Sequence, residues 1–211
     1  MDVQGFASAL LGRGRPGEPV VLGIVGPSGV GKDSVIAALL RVRPQLELIE
    51  RVVTRPADPT RESHASLDAA AFDRAEAEGH FALVWRAHGL AYGVPRLRDA
   101  GARIRLANLS RTVLDKADQA FPRFGVLAVD ARPDVIAARL AAREGVPAAQ
   151  LLERLTRSVA LEFDAARLAL IDNSGALEDA VAQAAALVDG LIVLLAKAGE
   201  ARPEGGGSGL P

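Results

Sequence analysis

An α/β fold, a doubly wound parallel sheet with helices on both faces, is predicted by two features of the chain. One is a glycine-rich turn, Gly26-Pro27-Ser28-Gly29-Val30-Gly31-Lys32-Asp33-Ser34, set directly after the apolar run Val20-Val21-Leu22-Gly23-Ile24-Val25. The other is a regular alternation of strand-like and helix-like segments from that turn to residue 198, the pattern of repeated βα units.

In chain order, residues 1–18 form a flexible N-terminal segment ending in Gly12-Arg13-Gly14-Arg15-Pro16-Gly17, and residues 19–198 a single domain. Val20–Val25 is a strand and Asp33–Arg43 a helix stopped by Pro44. Leu46–Val53 reads as a second strand, followed by a polar loop over 54–66. Leu67–Glu78 is a helix ended at Gly79, and Phe81–Ala87 with Leu90–Tyr92 flank His88-Gly89 as a hairpin. Pro95–Ala100 reads as a short helix with proline in its first turn. Arg103–Asn108 is a strand, and Ser110–Ala120 a helix capped by Ser110. Phe124–Asp130, Pro133–Arg143, Ala148–Ala166 and Leu168–Asp172 follow as strand, helix, longer helix and strand. Ala176–Ala198 is a closing helix with apolar residues at helical spacing. Residues 199–211 are a disordered Gly/Pro tail.

The turn fits the phosphate-cradling pattern G-x-x-x-x-G-K-[ST] at every position but the last, where Asp33 replaces the hydroxyl residue. Its glycines let successive backbone N–H groups converge on phosphate oxygens. The following helix adds its positive N-terminal end, and Lys32 brings an ammonium to the β- and γ-phosphates. Only three of the 25 Lys and Arg residues are lysine, so a lysine at this position carries information. Residues 26–34 are therefore the expected contacts to a nucleoside triphosphate, and the fold is of the P-loop NTPase kind.

Composition narrows the rest. A net charge of −1 argues against a dominant role on nucleic acid or at a membrane surface, and the absence of cysteine removes disulfides, thiolate metal sites and cysteine nucleophiles. No apolar run approaches the roughly 20 residues needed to span a bilayer. No signal peptide is evident, which points to the cytoplasm.

The acceptor side is read from strand ends, since ligands of an open α/β sheet lie at its carboxyl edge. Arg55 closes the second strand, Arg61 follows in the loop, and Arg111 sits just past the strand ending at Asn108. Planar guanidinium groups there suit a second phosphorylated ligand. His64, Trp85 and His88 are further pocket candidates. Downstream, Arg139, Arg143 and Arg154 flank the Gly145/Pro147 break as a helical lid over about 139–157, positioned to bring positive charge onto a transferring phosphoryl group.

From about Val20 to Leu195 these segments together resemble the guanylate kinases. The shared residues are Gly26-Pro27-Ser28-Gly29-x-Gly31-Lys32, Thr54-Arg55-Pro56, Tyr92-Gly93 and the lid arginines. Within that superfamily the chain is more similar to the ribose 1,5-bisphosphate phosphokinases. They share Gly31-Lys32-Asp33-Ser34, Glu62-x-His64-x-x-Leu67, Trp85-x-Ala87-x-Gly89-Leu90-x-Tyr92-Gly93-Val94 and Asn108-x-Ser110-Arg111. The resemblance implies a small acceptor-binding insertion over about 54–94, containing Arg55, Arg61, His64, Trp85 and Tyr92, with Asn108, Ser110 and Arg111 completing the pocket. It implies a phosphotransferase using ATP and Mg²⁺ to make 5-phospho-α-D-ribose 1-diphosphate from ribose 1,5-bisphosphate in phosphonate catabolism. Lys32, Arg139, Arg143 and Arg154 would stabilise the transferring group. The implied partner is a small phosphorylated sugar, without nucleic acid or membrane, and a homodimer stays open.

The departures from guanylate kinases bear on the acceptor. Those enzymes usually hold guanine with a Glu in the strand before Tyr-Gly and an Asp after the core strand, where this chain has Leu83 and Ser110. The pocket keeps phosphate-binding arginines and lacks the carboxylate that would pair with guanine. Competing readings are a guanylate-type nucleoside monophosphate kinase, a non-catalytic binding module, and a regulator driven by hydrolysis. Asp33 has three readings: a Mg²⁺ ligand, directly or through water, a stabiliser of the first helical turn, or a bystander whose hydroxyl role passes to Ser34. Asn173-Ser174-Gly175 reads either as an adenine contact or as a plain turn.

Overall fold

The computed structural model describes residues 2–55, 64–87, 89–97, 103–145 and 161–200. Its elements in chain order are α1 (Val3–Leu11), β1 (Val20–Val25), α2 (Lys32–Val42), β2 (Glu47–Leu48), β3 (Arg51–Val53), β4 (His64–Ser66), α3 (Ala69–Ala77), β5 (Phe81–Ala87), β6 (Leu90–Pro95), β7 (Ile104–Asn108), α4 (Leu114–Ala120), β8 (Arg123–Asp130), α5 (Pro133–Glu144), β9 (Leu168–Asp172) and α6 (Leu177–Lys197). Five strands form a parallel sheet in the order β2-β7-β1-β8-β9, and four form a second sheet in the order β4-β3-β6-β5.

Period-two alternation along β1 divides the core. Val20, Leu22 and Ile24 face α1, α2, α5 and α6, while Val21 and Val25 face α4 and the β5–β6 hairpin. Both faces of the parallel sheet are thus covered, as its near-continuous apolar strands require. The hairpin is as expected, with Trp85 opposite Tyr92 and Ala87 opposite Leu90.

Four expectations are corrected. The segment over 1–18 is not flexible throughout: Asp2 Oδ1 caps α1 by accepting from Gly5 N at 2.8 Å, and Phe6, Ala7 and Leu10 are buried. A Cβ on Gly190 would lie 2.5 Å from a Val3 methyl, so α1 packs directly on α6 where glycine leaves room. The single strand over 46–53 is two, because the chain leaves the parallel sheet after Leu48 and enters the second sheet at Arg51. The loop over 54–66 ends in β4, which pairs with β3 in parallel. The long helix expected over 148–166 does not reach its end: residues 161–164 are not helical, and Ala165–Arg167 form a 3-10 turn capped by Asp164. The start of that helix lies outside the described residues, as does the helix expected from Pro95 beyond residue 97; Pro95 itself closes β6.

Two further differences concern α6 and the tail. By length and composition α6 could cross a bilayer. This differs from the expectation that no apolar run is long enough, but Ala184, Leu187, Val188, Leu191 and Leu195 are buried in the core. Past α6, Glu200 is ordered rather than part of a loose tail, pairing with the buried Arg123 at the start of β8 at 2.6 Å. At the same end of the sheet Asp118 binds both Arg13 and Arg167. Partial burial pushes the Asp118 carboxyl up, and the two guanidinium groups together bring it below its ordinary value.

Candidate active site

The carboxyl ends of β1 and β7, the N-terminus of α2, one face of α5 and the β3–β6–β5 wall enclose a cleft of about 920 Å³. Gly26, Pro27, Ser28, Gly29, Gly31, Lys32, Asp33 and Ser34 line one end. Gly31 caps α2 in the left-handed region at φ 94°, and a Cβ there would lie 2.7 Å from Asn173 Nδ2. Glycine is therefore required by both backbone and space. Lys32 Nζ donates to Gly26 O at 2.9 Å and Pro27 O at 3.1 Å, folded over the loop it belongs to.

Val30 takes part through its backbone. Its side chain is buried in the core, and its carbonyl accepts from Asn173 Nδ2 at 2.7 Å and Arg139 Nη1 at 3.2 Å. Arg143 Nη2 donates to Ser28 Oγ at 3.3 Å. Helix α5 thus lays two arginines, one turn apart, on the phosphate loop. Asn173, read as an adenine contact or part of a plain turn, instead has its buried side chain supporting this loop.

Asp33 stands in the first turn of α2 and accepts at Oδ1 from Asn108 Nδ2 at 2.8 Å. Asn108 is 4% exposed at the end of β7, and its carbonyl accepts from Arg51 Nη1 at 3.0 Å. One residue therefore touches both ends of the cleft. Ser110 caps the 3-10 turn Arg111–Val113, its Oγ accepting from Thr112 N at 3.3 Å, so its hydroxyl is spent partly on structure. Ser110 and Arg111 line the cleft.

On the opposite wall, Thr54 bonds Ala91 through both its amide and its hydroxyl, at 3.0 and 2.8 Å, fixing the chain one residue before Arg55. Arg55 lines the cleft, and its Nε is buried with no hydrogen-bond partner among the described residues. A buried donor of that kind is costly unless a ligand meets it. Trp85 and Tyr92 stack with centroids 5.0 Å apart and planes 6° apart. Leu83, which the resemblance sets against a guanine-binding Glu, is buried among core residues and is not among the residues lining the cleft.

Arg61, His88 and Arg154 lie outside the described residues, as does the His64 side chain; its backbone forms β4 opposite Arg51. The sequence reading missed Arg51, Leu161 and Glu162, which also line the cleft. The signal for Arg51 was its place beside Thr54-Arg55, hidden by reading one strand where there are two.

No protein-family model matches the chain. It is 43% identical over 178 residues to the ribose 1,5-bisphosphate phosphokinase PhnN of a Ruegeria species, covering 82% of this chain and 93% of that protein. It is 43% identical over 167 residues to the ribose 1,5-bisphosphate phosphokinase PhnN of Agrobacterium fabrum, covering 74% of this chain and 89% of the relative. The fold matches the crystal structure of guanylate kinase from Anaplasma phagocytophilum with a TM-score of 0.55 over 88% of each chain, at 17% identity.

Proposed function

Because the chain belongs to the ribose 1,5-bisphosphate phosphokinase family, we propose that it transfers the γ-phosphoryl group of ATP to the 1-phosphate of ribose 1,5-bisphosphate. The products are ADP and 5-phospho-α-D-ribose 1-diphosphate, a step of phosphonate catabolism. The observation that carries the reading is the division of one cleft. A phosphate loop with Lys32 forms one end, and arginines over an aromatic floor form the other.

An oxygen of the 1-phosphate attacks the γ-phosphorus in line while the bond to the β–γ bridging oxygen breaks. The acceptor phosphate loses its last proton with a pKa near 6, so it arrives ionised at neutral pH. No general base is needed, and the work of the site is positioning and charge neutralisation. The loop amides and Lys32 hold the β- and γ-phosphates. Arg139 and Arg143, with Arg154 proposed beside them, stabilise charge spreading onto the transferring group. Arg55, Arg61 and Arg111 hold acceptor phosphate, with His64, Trp85, Tyr92, Asn108 and Ser110 shaping the pocket.

The residues at the start of α2 fit a magnesium ion. Asp33 offers carboxylate oxygen oriented by a neutral amide donor, and Ser34 a hydroxyl beside it, a donor set suited to a hard cation. Bound there, Mg²⁺ would neutralise charge on the β- and γ-oxygens.

The test is a product assay with ATP and Mg²⁺, offering ribose 1,5-bisphosphate and GMP in parallel. Formation of 5-phospho-α-D-ribose 1-diphosphate with GMP untouched is expected. Conversion of GMP instead, or inactivity toward both, overturns the reading.

A further inference from the structure

We propose that Arg51 is the specificity contact for the acceptor's second phosphate, the 5-phosphate that does not react. The proposal rests on the acceptor assigned above and adds a residue that the motifs did not single out. Arg51 opens β3 and lines the cleft together with Arg55, Trp85 and Tyr92. Its guanidinium carbon lies 5.5 Å from the Tyr92 ring centroid and 6.0 Å from that of Trp85. These contacts and the bond from Nη1 to the Asn108 carbonyl fix the plane of the guanidinium where it borders the cleft. A planar fork held in place is suited to phosphate, because little side-chain entropy remains to be lost.

Charge and position select the phosphate. The reacting 1-phosphate must lie against the γ-phosphoryl site made by Lys32 and the α5 arginines. Arg51 and Arg55 come from the other sheet, with the buried Arg55 Nε adding a donor to the same wall. A bisphosphate bridging the cleft therefore meets the loop side with its 1-phosphate and this wall with its 5-phosphate. The same guanidinium lies over the rings on which a planar base would otherwise stack.

The experiment compares Arg51→Met and Arg51→Lys with the wild-type enzyme, using ribose 1,5-bisphosphate as substrate and ribose 5-phosphate and ribose 1-phosphate as competitive inhibitors. Folding is checked by thermal melting. A hydrogen-bonded charge pair predicts, for Arg51→Met, a rise of roughly 10–100-fold in KM for the bisphosphate and in Ki for ribose 5-phosphate. The Ki of ribose 1-phosphate stays unchanged, and Arg51→Lys recovers part of the loss because charge returns without the fork. A loss that is absent, equal for all three ligands, or confined to those carrying the 1-phosphate overturns the assignment and leaves the proposed reaction standing. A wild-type enzyme that does not use ribose 1,5-bisphosphate overturns both.

Discussion

Asn108 Nδ2 donates to Asp33 Oδ1 at 2.8 Å, joining the end of β7 to the first turn of α2 across 75 positions of sequence. In a P-loop the residue after the lysine is ordinarily a hydroxyl. Here the carboxylate stands on the helix and an amide on the strand orients it. Asn108→Leu removes the orienting donor while keeping volume. It is expected to weaken metal binding to the nucleotide-loaded protein about 10–100-fold, read by electron paramagnetic resonance of Mn²⁺. Unchanged metal affinity would reduce the bond to a support for the helix turn.

Lys32→Ala should abolish phosphoryl transfer and leave a cooperative melt. The ammonium donates to the Gly26 and Pro27 carbonyls, two hydrogen bonds worth about 1–3 kcal/mol together. Turnover near the wild-type level would contradict the phosphate-loop assignment.

Arg139 and Arg143 reach the loop through Val30 O and Ser28 Oγ. Replacing Arg139 by Met is expected to lower kcat on the order of 10²–10⁴-fold, by comparison with other cationic and oxyanion donors. The dissociation constant for ribose 1,5-bisphosphate should change far less. A defect confined to that dissociation constant would move Arg139 from the transferring group to the acceptor.

Much of this site was legible because the chain writes it locally. The loop, Lys32 and the strand before it lie within fifteen residues, and Arg55 and Arg111 follow strand ends. What stayed hidden depends on tertiary pairing. Leu46 to Val53 contains no glycine or proline, so no turn residue marks the change of sheet at Ile49-Glu50, and Arg51 reads as interior to a strand. The Asn108–Asp33 bond has no local signature at all. Helix α1 was missed because Gly5 and Gly12 bracket its short apolar set, whose burial depends on room made by Gly190 in a helix far along the chain.

Gly31→Ala tests the loop's shape without touching a charge. At φ 94° an alanine costs about 1–2 kcal/mol of backbone strain. Its methyl would also displace the Asn173 amide from Val30 O. Nucleotide affinity should fall more than thermal stability does. A variant with wild-type affinity for ATP would mean that the loop tolerates a different path.

At the opposite end of the sheet, Arg123 and Glu200 form an ion pair with 2% and 10% of their side chains exposed. The hydrogen bond from Arg123 holds the Glu200 carboxyl below its ordinary value, against the opposing effect of burial. A lowered folded-state pKa contributes stability that is present above the unfolded value and lost as pH falls through the folded one. Glu200→Gln should therefore cost about 2 kcal/mol at neutral pH, since a buried guanidinium loses its charged acceptor. The gap between variant and wild type should close as pH drops below the carboxylate range, because protonation removes the same charge from the wild type. Denaturant melts of both proteins across that range provide the measurement. A gap independent of pH would assign the effect to packing of the chain after α6 rather than to the ion pair.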